Sequence, residues 1–223
     1  MREITHPTAL WHPSPSFGPR RGGARPELIV LHYTAMPTAT SALERLCDPD
    51  IEVSAHYLVS ETGTVWQMVD EAMRAWHAGS GQWDTITDVN SASIGIELAN
   101  DGAQPFAEPQ MRALEDLMQG IMQRWDIPAR GVIGHSDMAP GRKIDPGPRF
   151  DWRRLARQGL AHWPDLVQGG SADPELFRHL AKLVGYTSDV PIVTLLDAVR
   201  LRFRPHAKGP LQPEDIAALK GLI

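Results

Sequence analysis

A chain of 223 residues with 42% apolar content is long enough for one sizeable domain with a smaller one beside it, or for a single large domain. Its net charge of −5 argues against a general nucleic-acid binder, which carries a basic face. The one cysteine, Cys47, excludes a disulfide framework and a multi-cysteine zinc finger, and no run approaches the roughly 18 apolar residues of an integral membrane segment.

The N-terminus, "MREITHPTALWHPSPSFGPRRGG", lacks an apolar run behind a basic start, so it does not read as a secretory signal. As it stands the chain reads as cytoplasmic, with a periplasmic location the alternative if a signal is missing from its start. Residues 12–26 are rich in Pro, Gly and Arg and read as an irregular arm, part of a longer arm over 1–26. "ELIVLHYTA" supplies an apolar run, Leu28 to Leu31, expected as a buried central strand. "TSALERLCD" at 40–48 suits a helix, and "SAHYLVSETGTVWQMVD" reads as two strands around a glycine turn at 61–63. "SASIGIELAN" is another strand, with Ile94, Ile96 and Leu98 on one face and Glu97 on the other.

In "EPQMRALEDLMQGIMQRW", Met111, Leu114, Met118, Ile121 and Trp125 fall at helical spacing, and Pro109 suits the first turn. "ARGVIGHSD" offers a last short strand that runs into "HSDMAPGRKIDPGP" at 135–148. There Pro140, Gly141, Pro146, Gly147 and Pro148 argue against a regular helix or central strand, so the stretch is expected to be a shaped loop. Alternating strands and helices favour an α/β domain, with helices flanking a mixed central sheet. His32 and His135 then lie at strand ends, where such sheets carry their sites.

After "FDWRRLARQGLAHWP" the texture changes. Residues 167–173 read as a linker to three candidate helices, which divides the chain into 1–166 and 167–223. In the second helix Ile192, Leu195, Leu196, Val199 and Phe203 form one apolar stripe, the mark of a small helical core.

Among nine histidines, His32 and His135 stand out because each directly follows an apolar strand. Two such histidines and one carboxylate make the three-protein-ligand set of a catalytic zinc, with a fourth position left for water. Asp137 and Asp145 are both eligible, and the residues alone do not choose between them. Lys143 is by default a solvated surface lysine; in a loop aimed at a metal, its ammonium would stabilise the negative oxygen formed when a carbonyl is attacked. Glu97 is by default an outward-facing charge on a half-exposed strand; beside a metal, it would take a proton from the attacking water.

"VLHYTA", "VSAHYLVSETGTVWQMV", "RAWHAG", "NSASIGIEL" and "GHSDMAPGRKIDPGPRFDW" stand in the order and approximate spacing of one family. From about residue 25 to about 155 the chain resembles the zinc-dependent N-acetylmuramoyl-L-alanine amidases, relatives of phage lysozyme-type amidases and of peptidoglycan recognition proteins. The resemblance implies one Zn2+ per chain, held by His32, His135 and Asp145, with Asp137 left a supporting part. It further implies Glu97 as general base, Lys143 as the oxyanion's partner, and a substrate groove lined by His77, Trp76 and Asn90. His56 matches a family histidine that is usually not a ligand.

The substrate so implied is peptidoglycan or its muropeptide fragments, cut at the amide between N-acetylmuramic acid, or its 1,6-anhydro form, and L-alanine during wall recycling or turnover. A monomer is expected. Two departures bear on the subfamily. Ala55 stands where some phage-type members carry a tyrosine, and Glu52 where recycling amidases often carry an arginine for the peptide's carboxylates. "LFRHLAKLVGY" with the helices after it resembles a three-helix peptidoglycan-binding module, whose first helix ends in a glycine-tyrosine pair, here Gly185 and Tyr186.

Overall fold

The computed structural model describes residues 5–223, so the first four residues of the N-terminal arm lie outside the described residues. In chain order the first elements are β1 (Leu10–Trp11), β2 (Phe17–Pro19), β3 (Leu28–Tyr33), α1 (Ala39–Leu46), β4 (Tyr57–Val59), β5 (Val65–Gln67) and β6 (Met73–Ala75). Then come α2 (Val89–Ala92), β7 (Ser93–Leu98), α3 (Glu108–Trp125), β8 (Val132–Gly134), α4 (His135–Met138) and α5 (Trp152–Arg157). The chain ends with α6 (Pro174–Val184), α7 (Ile192–Phe203) and α8 (Pro213–Lys220).

Six strands form one mixed sheet in the order β1-β5-β4-β7-β3-β8. The expected hairpin is present as the antiparallel pair β4–β5, whereas β3 runs parallel to both β7 and β8. The N-terminal arm is less irregular than its composition suggests: β1 pairs with β5, and β2 forms a separate two-stranded ribbon with β6. Strands of two or three residues are too short to leave a period-two pattern in the sequence. Arg20 then staples the arm down, donating to the carbonyl oxygens of Ser91 at 2.7 Å, Ser93 at 3.0 Å and Glu71 at 2.7 Å.

The alternation of β3 and β7 sorts their side chains to two faces. Ile29, Leu31, Ile94, Ile96 and Leu98 are buried with Met111, Leu114, Met118 and Ile121 of α3. On the opposite face two further clusters form. Leu58 and Met68 pack under Ala42, Leu43 and Leu46 of α1. Leu28, Val30 and Ile133 are covered by α6–α8, through Phe177, Leu180, Leu195, Val199 and Ile216 among others. The three C-terminal helices therefore share a continuous core with the sheet, where the apolar stripe had suggested a small core of their own. Each large side chain so buried contributes roughly 1.5–3 kcal/mol, which makes undocking of these helices a costly event. Between the two clusters runs β7, whose residues on this face are Ser93, Gly95 and Glu97.

One further element differs from expectation. The stretch 135–148 opens with a turn of helix, α4, before its loop begins. The prolines and glycines start only at Pro140, and the Asp137 carboxylate accepts the Gly134 N–H at 2.8 Å, which caps the turn. No helix of the described residues is long and apolar enough to cross a membrane.

Candidate metal centre

Strand register builds the first half of the site. His32 and Glu97 are paired neighbours on β3 and β7 and so share the face between the two clusters. The segment after β8 builds the second half: His135 opens α4, and Asp145 follows from the loop. The three ligand candidates are all buried, and their donor atoms meet. His32 Nδ1 lies 2.9 Å from His135 Nδ1 and 2.9 Å from Asp145 Oδ2, and His135 Nδ1 lies 3.0 Å from the same oxygen. These edges are close to the roughly 3.3 Å edge of a tetrahedral shell with bonds of 2.0–2.1 Å.

The protons around this triangle can be followed from fixed acceptors. His135 Nε2 is 2.8 Å from the Ala78 carbonyl oxygen, which only accepts, so Nε2 carries the proton and Nδ1 presents a lone pair. On the other side, the Ser93 hydroxyl donates to the Val89 carbonyl oxygen at 2.5 Å and therefore accepts from His77 Nε2 at 3.1 Å. His77 Nδ1 then accepts from His32 Nε2 at 3.0 Å, which leaves His32 Nδ1 as a lone pair too. Two imidazole lone pairs and a carboxylate oxygen thus face one another with no proton among them. A cation reconciles that arrangement, and this donor set fits a divalent metal of the zinc type.

The electrostatics agree. Burial, with the neighbouring His135 adding to it, pulls His32 down to about 4, so its imidazole is neutral. Burial and then the Asp145 charge push Glu97 up to about 8. Its Oε2 is buried without a hydrogen-bond partner among the described residues. An undonated carboxylate oxygen in such a place is costly structurally and suited to proton transfer.

A pocket of about 530 Å³ opens over these groups, within the usual range for small-ligand sites. His32, His135, Asp145, Glu97, Lys143, Trp76 and His77 all line it. Lys143 is exposed, and its ammonium has no ion-pair partner among the described residues. Asn90 has a different place from the one expected. It is buried outside the pocket lining, and its Oδ1 accepts the backbone N–H groups of His77 at 3.0 Å and Ala78 at 2.8 Å. It shapes the turn that carries His77. His77 has two parts: it lines the pocket, and it holds His32. Gly95 makes room for it, since a Cβ there would lie 2.4 Å from the imidazole.

His56 spends Nδ1 on the Gly95 N–H and Nε2 on the Met73 carbonyl oxygen, each at 3.0 Å, and burial lowers it to about 3. Asp137 points away from the metal triangle: its carboxylate takes donors from Gly134, Tyr186 and Arg202. Arg142, which local pattern did not single out, donates to the carbonyl oxygens of Ala78 at 2.6 Å and of Ser80, tying the Lys143 loop to the 78–80 turn. Those partners lie more than 60 residues away, beyond the reach of any short motif.

Residues 22–148 match the N-acetylmuramoyl-L-alanine amidase family. The chain belongs to that family. It is 42% identical over 157 residues to the N-acetylmuramoyl-L-alanine amidase AmiD of Escherichia coli K12, across 63% of this chain and 56% of that protein. The match thus spans little more than half the length of that relative. It is 35% identical over 159 residues to the 1,6-anhydro-N-acetylmuramyl-L-alanine amidase AmpD of Haemophilus influenzae, across 63% of this chain and 86% of that protein. Among solved structures, E. coli AmiD in complex with anhydro-N-acetylmuramic acid-L-Ala-D-gamma-Glu-L-Lys superimposes with a TM-score of 0.81 at 33% identity. That likeness covers 93% of this chain and 96% of the other, so it includes the C-terminal helices.

Proposed function

We propose that this chain hydrolyses the amide between N-acetylmuramic acid, or its 1,6-anhydro form, and L-alanine in peptidoglycan or released muropeptides, using one Zn2+ held by His32, His135 and Asp145. The observation that carries this reading is the convergence of three lone-pair donors, within 3.0 Å of one another, beside the unpartnered Oε2 of Glu97. When bound, zinc supplies Lewis-acid chemistry, polarising a carbonyl and making water acidic enough to attack at neutral pH.

The chain's own residues do the rest. Glu97, raised to about 8, holds or releases a proton near neutral pH: it takes one from the attacking water and passes it to the leaving amine. Lys143 brings an unpaired ammonium to the pocket rim, where it offsets the negative charge that grows on the carbonyl oxygen. His77 and the half-buried Trp76 line the wall against which a sugar or lactyl group would rest. The support for the substrate class is the family membership together with the anhydromuramyl peptide seated in E. coli AmiD.

Digestion of a defined anhydromuramyl tripeptide, followed by mass spectrometry, tests the reading. The expected result is release of the whole peptide from the sugar, abolished by a chelator and restored by zinc. Cleavage inside the stem peptide would make the chain a peptidase, and chelator-resistant release would remove the metal from the mechanism.

A further inference from the structure

The three C-terminal helices reach the site through one carboxylate. Asp137, in α4 two residues after His135, is buried and has three donors. Its Oδ1 accepts the Tyr186 hydroxyl at 2.6 Å, and its Oδ2 accepts Arg202 Nη1 at 2.7 Å and the Gly134 N–H at 2.8 Å. Arg202 belongs to α7 and is only 4% exposed. Its guanidinium lies 4.2 Å from the Trp152 ring centre and donates to the Val132 carbonyl oxygen at 3.1 Å, gripping β8 as well as α4. Tyr186 follows Gly185, where a Cβ would come within 2.5 Å of the Trp83 ring; glycine lets the chain pass close enough for the hydroxyl to arrive. Behind the loop, α7 also places Thr194 2.6 Å from where a Cβ of Gly141 would stand.

We infer that α6–α8 are the positioning element of His135: Arg202 and Tyr186 fix the Asp137 carboxylate, and Asp137 fixes the turn that aims the imidazole at the metal. The glycine-tyrosine pair that resembled a wall-binding signature thus has an inward use. The inference rests on His135 serving as a metal ligand. A direct hydrogen-bond partner of a ligand is typically worth about 10- to 100-fold in metal affinity. Asp137 acts on His135 through the Gly134 N–H and the turn, and Arg202 and Tyr186 act one step farther back, so their effects fall at or below the low end of that range.

The same helix supplies the control. Arg200, two residues earlier, is equally buried but pairs with Asp215 of α8, at 2.6 Å and 3.0 Å, away from the site. Zinc affinity is measured by competition with a chromophoric chelator on the full chain, with thermal midpoints recorded for each variant. Arg202→Met should bind zinc more weakly by up to about 10-fold, the low end of what a ligand's direct partner contributes. Tyr186→Phe should show a smaller loss in the same direction, and Arg202→Lys should recover part of it. Arg200→Met should lower the thermal midpoint while zinc affinity stays at the wild-type level. Wild-type affinity in both Arg202→Met and Tyr186→Phe would overturn the inference, as would an equal loss in Arg200→Met. Should Arg202→Met not fold, Tyr186→Phe decides by the same criterion. A wild-type chain that binds no zinc would instead sink the metal reading itself, and this inference with it.

Discussion

The two sides of the candidate metal site are held by different physics. On the sheet side, His32 and Glu97 stand on central strands, where the β3–β7 ladder fixes their spacing. Behind His32, a hydrogen-bonded line runs through His77 and Ser93 to the Val89 carbonyl oxygen. On the loop side, His135, Lys143 and Asp145 stand on one helical turn and an irregular stretch, with no ladder to place them. Their positions depend on anchors from elsewhere: the Ala78 carbonyl oxygen for His135, Arg142 for the loop, and Asp137 for the turn. Backbone pairing gives the first side its precision, and long-range side-chain contacts give it to the second.

The largest expected effect tests the chemistry of the sheet side. Glu97→Gln should cost about 100- to 10,000-fold in kcat on a muropeptide, with zinc content by elemental analysis unchanged. A loss of zinc instead would mean that Glu97 helps hold the metal. The loop-side counterpart is Lys143→Ala, expected to lose about 100- to 1000-fold in turnover while keeping zinc. Near-normal turnover would return Lys143 to the solvated surface.

Next in size is the hydrogen-bonded line. His77→Ala should weaken zinc binding about 10- to 100-fold, and His77→Gln, which can still accept from His32 and donate to Ser93, should recover part. Equal losses in both variants would show that the ring's bulk matters and its hydrogen bonds do not.

The smallest effect is on acid stability, and it too falls on the sheet side. His32 is held at about 4 and His56 at about 3, both below the ordinary 6.5 and both chiefly by burial. As pH falls below about 6.5 the unfolded chain takes up protons that the folded chain refuses, so stability drops toward pH 4. The urea midpoint of the metal-free protein should fall by roughly 0.5 M or more between pH 7 and pH 5. A flat midpoint would mean that these rings charge freely in the fold.

The same contrast explains what the sequence could reveal. Strand periodicity placed Glu97 opposite Ile94, Ile96 and Leu98, and put His32 at the end of an apolar run, so the sheet side could be read locally. Asp137 and Asp145 could not be told apart by residue chemistry, because the difference lies in Tyr186 and Arg202, 49 and 65 positions from Asp137. The family resemblance put Asn90 in the substrate groove, but its amide oxygen serves two backbone N–H groups across a turn. The apolar stripe of α7 was visible; that it would cover Leu28, Val30 and Ile133 was not, since an amphipathic face does not name its partner.

The ladder pairing of His32 with Glu97 sets a limit for anyone hoping to retune this site. A slip of one residue in β3 against β7 would turn one of them to the far face, and moving the two strands together would shift both by the same step. Redesign by insertion or strand grafting therefore has nothing to adjust there short of destroying the pair. Useful variation is confined to the turns and loops that bring in Trp76, Lys143 and Asp145, where side chains can be exchanged without re-threading the sheet.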